Sequence, residues 1–195
     1  MLEHNTTKSK NRSKLISLSI EMVALLANST LIAIILMVFV PSSLAGINFI
    51  SFVCKGISDH PECMDVLRSD PRSMNATTRV ELQSISLDIC TAAAREGEKT
   101  GKEEQSKNEQ KRDEKLGFVL DMCINRYNDA VRTLEHARTD FGNHAYDEAA
   151  RKIREAHVAA DYCEKWFYDQ GANNVMKQMN KKMDDGCGIC WQLIF

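Results

Sequence analysis

Apolar residues recur at steps of three and four through four stretches of this 195-residue chain, and each such rhythm predicts a helix with one buried face. In TTRVELQSISLDICTAAA (77–94) the face is Leu82, Ile85, Ile89 and Ala92 or Ala93, with Cys90 near its edge. KLGFVLDMCINRYNDAVRTLEHA (115–137) carries Leu116, Val119, Cys123, Tyr127, Val131, Leu134 and Ala137, and AYDEAARKIREAHVAADYCEKWF (145–167) carries Tyr146, Ala149, Ile153, Ala156, Ala160, Cys163 and Phe167. The last stretch, 175–195, places Met176, Met179, Met183, Cys187, Cys190 and Ile194 in the same register. The segment TDFGNH, with Gly142 and Asn143, is a short polar turn between the second and third helices. Helices joined so tightly run antiparallel, so the pattern predicts an all-α, up-and-down four-helix bundle. Between the first two helices, Arg95 to Lys115 is mostly charged with both signs mixed. Because the signs cancel locally, it reads as a solvated helix end plus loop rather than a docking surface.

The first 45 residues follow another pattern. Lys8, Lys10, Arg12 and Lys14 precede LIAIILMVFV (31–40), and Ser43 and Ala45 then supply small residues for cleavage after Ala45. Residues 1–45 therefore read as a secretory signal and 46–195 as the mature domain. The alternative is an uncleaved anchor, since the 19 residues from Met22 to Val40 could just span a bilayer. Basic residues ahead of the apolar run place the body outside the cytosol in both cases.

Export changes the meaning of the seven cysteines, because outside the cytosol they can stay oxidised. An odd count leaves at least one unpaired or joined between chains. In an antiparallel hairpin, residues equidistant from the turn come level. The midpoint of Cys123 and Cys163 is position 143, inside the turn, so the two thiols face each other. In CKGISDHPEC the midpoint of Cys54 and Cys63 falls within SDHP, which predicts a disulfide-locked N-terminal helical hairpin with Pro61 in a first helical turn. Cys187 and Cys190 form a C-x-x-C pair, but no second such pair or histidine pair completes a zinc set. With Cys90 they read as buried small hydrophobes or an incidental disulfide.

Catalytic chemistry is thin. His60, His136, His144 and His157 are scattered; Asp161 and Glu164 flank Cys163 and are expected to face solvent. No Ser-His-Asp set, phosphate loop or metal motif is present, so no enzyme activity, metal or cofactor is expected. Without residues 1–45, 21 Lys/Arg stand against 25 Asp/Glu, a net charge of −4 that suits no nucleic-acid binder. Asn75-Ala76-Thr77 offers Asn75 as a possible glycan acceptor.

Taken together, CKGISDHPECMDVLRSDPRS, CINRYNDAVRTLEHA and YDEAARKIREAHVAADYCEKWF resemble the plant invertase and pectin methylesterase inhibitor family, over about residues 50–195. The layout also resembles the plane-tree pollen allergen branch of that family. The family's four paired-cysteine positions fall on Cys54, Cys63, Cys123 and Cys163. The resemblance implies an exported bundle of the cell wall, apoplast or vacuole that blocks a pectin methylesterase or an acid invertase one-to-one over the active-site cleft. Invertase inhibitors insert a Pro-Lys-Phe motif from the loop opening the third bundle helix. The matching positions here are His144-Ala145-Tyr146, which makes Asn143, His144, Ala145 and Tyr146 the candidate partner-binding residues. Pectin methylesterase inhibitors instead lay the polar faces of bundle helices, here the second and third, across the target's cleft. The missing proline and lysine rank pectin methylesterase ahead of invertase. A thiol or metal protein centred on Cys187 and Cys190, or a membrane-held bundle, is the remote alternative. The tail also departs from the family, with Gly186, Cys187, Gly188 and Cys190 in place of aliphatic residues. Each helical glycine costs about 1 kcal/mol relative to alanine, so a weaker last helix is expected.

Overall fold

The structure, a computed structural model, describes residues 46–195. The signal or anchor expected at 1–45 lies outside the described residues. Among the described residues, no helix is long and apolar enough to cross a membrane. A first helix, α1 (46–54), turns into α2 (His60–Arg68) and a 3-10 turn at Pro71–Asn75. The long helices α3 (Arg79–Lys111), α4 (Glu114–Gly142), α5 (Tyr146–Gln170) and α6 (Lys177–Ile194) follow.

Local chemistry sets the helix starts. Asp59 accepts a hydrogen bond from the Glu62 amide at 3.0 Å, with Pro61 in the first turn of α2, where a missing N–H costs nothing. Thr78 and Glu81 form a reciprocal capping box at α3. Asp113 accepts from the Leu116 amide at 3.0 Å and starts α4.

The charged segment 95–115 differs from expectation: α3 runs helically through it to Lys111, leaving only Arg112 and Asp113 as connection. Two physical reasons explain this. Its buried positions are Gly97, Gly101 and Asn108, so no bulky apolar rhythm marks it. Its outer face is tied by Glu98–Lys102 at 2.6 Å and Glu104–Lys107 at 2.6 Å, one turn apart. Arg112 then adopts a left-handed φ of 56°, its amide donating to the Asn108 carbonyl at 2.7 Å, while Asn108 Nδ2 donates to the Asp113 carbonyl at 2.8 Å. The second connection is also shorter than the sequence pattern suggests, because α4 includes Gly142.

Within the bundle α3 packs on α4 and α6, and α5 packs on the same two helices from the other side. The main core joins Leu87, Tyr127, Leu134, Ile153, Phe167 and Met183. A second core joins the α1–α2 hairpin, through Ile50 and Leu67, to Leu82 of α3 and Ile189 and Leu193 of α6. The hairpin therefore caps the end of the bundle where α3 begins and α6 finishes, and Ser58 Oγ donates to Gln192 Oε1 at 2.7 Å across that seam.

Three disulfides fasten this frame. Cys54–Cys63 closes the hairpin with Cα atoms 5.7 Å apart, and Cys123–Cys163 joins α4 to α5 at 5.1 Å. The third, Cys90–Cys187, joins the first and last bundle helices at 4.7 Å. It splits the C-x-x-C pair, leaving Cys190 as a buried free thiol. Cys90 is fully buried rather than at an edge, because α3 has two helical neighbours and needs a wider apolar stripe than one face provides. Helix α6 is continuous through Gly186 and Gly188. A Cβ at Gly186 would stand 3.8 Å from the Cys90 Cα, so the two backbones run close where the bridge crosses.

Candidate functional site

The turn at Asn143–Tyr146 is closed on itself. Its His144 amide donates to the Phe141 carbonyl at 3.0 Å and its Ala145 amide to the Asp140 carbonyl at 2.9 Å, the two bonds that end a helix on a left-handed residue. That residue is His144, with φ 61°, where glycine is the usual occupant. The His144 ring and the Tyr146 hydroxyl are hydrogen-bonded at 2.9 Å, and the Tyr146 ring meets Phe141 edge-on at 5.3 Å. Lys152 pairs with Asp140 beneath. Asn143, His144 and Ala145 are exposed and Tyr146 is half-buried, so these four residues form a compact knob, not an extended loop.

Along the outer side of α4 and α5 runs a groove with two parts. Near the turn a hollow of about 280 Å³ is lined by Arg132, Thr133, His136 and Glu155 among others. Farther from the turn a hollow of about 340 Å³ is lined by Met122, Asn125, Arg126, Asp129, Tyr162 and Trp166. There the Arg126 guanidinium lies 4.6 Å from the centre of the Tyr162 ring, and Tyr162 stacks on Trp166 at 5.9 Å with 29° between planes. Asp129 pairs with Arg132, and Glu155 lies 3.9 Å from Arg151. Among the described residues, no carboxylate comes within ion-pair distance of Arg126, although one pairs with its groove neighbour Arg132.

The remaining sequence candidates are dispersed. His157 contacts Asp184 at 2.6 Å between α5 and α6, and His60 lies 3.5 Å from Ser51 in the hairpin. Asn75 is exposed at the end of the 3-10 turn. Among the described residues, no group of three or more His, Cys, Asp or Glu is placed to hold a metal ion. Glu164 does not face solvent freely as expected. Its oxygens accept from Asn174 Nδ2 at 2.7 Å and Asn180 Nδ2 at 2.9 Å, and Asn180 Oδ1 accepts from the buried Tyr127 hydroxyl at 2.8 Å. Burial, and then the Glu164 charge, raise the Tyr127 pKa and keep the phenol protonated. This network positions the α5–α6 connection. It rests on two asparagines that periodicity ignores, and no sequence signal singled them out.

Arg126, Tyr162 and Trp166 were also missed, because a helical reading weighs fully buried positions, whereas Tyr162 is exposed and Arg126 and Trp166 are half-buried at the edge of the core. The one available signal is the four-residue spacing of Tyr162 and Trp166, which puts both rings on one stripe of α5.

Fold and surface together define a disulfide-fastened helical bundle that presents a closed knob and an aromatic, cationic groove. The model of the plant invertase/pectin methylesterase inhibitor family matches residues 48–193, and the chain belongs to that family. Its homologues there are enzyme inhibitors, not enzymes. A pectinesterase inhibitor of Actinidia deliciosa is 30% identical over 152 residues, covering 76% of this chain and 79% of that protein. A mutant form of a pectin methylesterase inhibitor from Arabidopsis has the same fold, with a TM-score of 0.62 at 20% identity over 74% of this chain and 94% of that one.

Proposed function

We propose that this protein is a secreted inhibitor of pectin methylesterase, bound one-to-one over the enzyme's active-site cleft through the outer faces of α4 and α5. The observation that carries this reading is the closed 143–146 turn. Insertion into a narrow cleft needs an extended, detachable segment. Here the Tyr146 ring is held by Phe141 and His144, and the backbone amides of residues 144 and 145 are engaged within the turn. Two long, disulfide-joined helices instead offer a surface that loses little entropy on docking. The Actinidia relative, named a pectinesterase inhibitor, points the same way.

The invertase reading keeps one observation, the aromatic ring of Tyr146 where the resemblance puts phenylalanine. Titrating the protein against one pectin methylesterase and one acid invertase separates the two. Stoichiometric inhibition of the first alone is expected, and inhibition of the invertase alone would overturn the proposal. The secretory part is tested by the N-terminus of protein recovered outside the cell, expected at Gly46, and the proposed glycan by a mass increment on the peptide containing Asn75.

A further inference from the structure

We infer that the target contact is anchored by Arg126, Tyr162 and Trp166, on the half of the α4–α5 face away from the 143–146 turn, and that it takes a carboxylate flanked by apolar side chains at the rim of the target's cleft. This inference rests on the inhibitor reading above and narrows it to one end of one face.

Three observations lead to it. Arginine, tyrosine and tryptophan are the side chains that most often dominate interface energetics, and here all three meet in one hollow. They are ordered before any partner arrives: Arg126 is held over Tyr162 at 4.6 Å and Tyr162 against Trp166 at 5.9 Å, so little rotamer freedom remains to be lost. Apolar surface adjoins them on one side, with Met122 in the lining and Phe118, one turn earlier on α4, 54% exposed, while the polar side of the hollow is Asn125 and the Asp129 already paired with Arg132.

Charge selects the partner's chemistry. Arg132 already has Asp129 and would bring a neutral pair into an interface, whereas Arg126 would bring an unpaired guanidinium. Burying such a charge is unfavourable unless the partner supplies a carboxylate. A guanidinium stacked on a ring keeps its in-plane N–H donors for that carboxylate. The same argument disfavours a second copy of this chain as occupant, because a two-fold contact through this patch would bring two unpaired guanidinium groups together.

The cluster can also be tested apart from the turn. Tyr162 lies 16 positions beyond Tyr146 on the same helix, roughly 24 Å along its axis. The test is the inhibition constant of the full chain against a pectin methylesterase and an acid invertase, measured for wild type, Arg126→Gln, Trp166→Phe, Trp166→Ala and Lys55→Gln, with a thermal melt of each. For the enzyme that wild type inhibits, Arg126→Gln and Trp166→Ala should each weaken inhibition at least tenfold, and Trp166→Phe less. Arg126→Gln should in addition reduce the salt dependence of binding while leaving the melt unchanged. Lys55→Gln, exposed in the turn of the α1–α2 hairpin and outside both knob and groove, should stay within about twofold. Wild-type inhibition with Arg126→Gln and Trp166→Ala both within twofold would overturn the anchor and leave the inhibitor reading intact. Inhibition of neither enzyme would overturn both. A dimer in sedimentation that Trp166→Ala dissociates would reassign the patch to self-association and overturn the inference.

Discussion

A Cβ on Gly97 would stand 2.4 Å from Cε1 of Tyr127, so the backbone of α3 lies directly on the phenol ring of α4. One turn on, a Cβ at Gly101 would meet Ile124 at 2.7 Å. The charged-looking half of α3 thus packs through its glycines, and the ring they admit carries the hydroxyl bonded to Asn180.

Gly97→Ala is expected to destabilise the protein despite its better helix propensity, because a fully buried aromatic ring has no room to yield. The expected loss is about 1–3 kcal/mol, as for other overpacked cores. Tyr127→Phe relieves no overlap and leaves Asn180 Oδ1 without its donor, at a cost of about 1–3 kcal/mol. Denaturant unfolding of both variants checks the pair.

Gly188→Ala should do the opposite. Its Cβ would lie 3.6 Å from His157 Nε2, an ordinary contact, and the position is mid-helix. A gain of roughly 0.5–1 kcal/mol is expected, visible as a higher melting temperature.

Cys90 and Cys187 close a span of 97 positions, for which the chain-entropy account gives about 4–5 kcal/mol. Replacing both with alanine should lower stability by up to that amount while preserving helical content. Cys190 behaves differently from any reactive thiol. Complete burial pushes its pKa up to about 12, so a thiol reagent near neutral pH should label nothing in the native protein. One equivalent should react after unfolding without reductant. A rapidly labelled native thiol would contradict the described pairing.

Glu62 of α2 carries a pH dependence. Burial and then the neighbouring Asp185 of α6 raise its pKa above the ordinary value for a glutamate. A carboxyl whose folded pKa is raised stabilises the fold while protonated, fully below its unfolded pKa, and that contribution is lost as pH rises through the folded value. Glu62→Gln keeps a neutral donor facing Asp185. It should therefore be neutral in stability below about pH 4.5 and stabilising above it, and parallel wild-type and variant curves across this range would refute the assignment.

How much of this was legible depends on what each signal measures. The rhythm of Val119, Cys123, Tyr127 and Leu134 was readable because burying large apolar groups is the dominant favourable term and recurs with the helix period. Gly97 and Gly101 escaped because a close helix contact removes side chains, and the mark of tight packing there is absence. The turn at 143–146 stands out in the sequence as a binding candidate only through its resemblance to a family motif, and its closure depends on a left-handed His144 and a Tyr146–His144 hydrogen bond that no spacing announces.

By itself the sequence determined that four helices make the bundle, though not the length of the first, together with their antiparallel order and the levels at which Cys123 and Cys163 meet, since helix period and turn position are local properties that count out along the chain. Which face of α3 met α6, that Cys90 rather than Cys190 reached Cys187, and that Arg126 came to rest on Tyr162 were decided only in three dimensions. Each depends on the rotation of one helix about its axis against its neighbours, a quantity set by the packing of the whole core rather than by any segment of it.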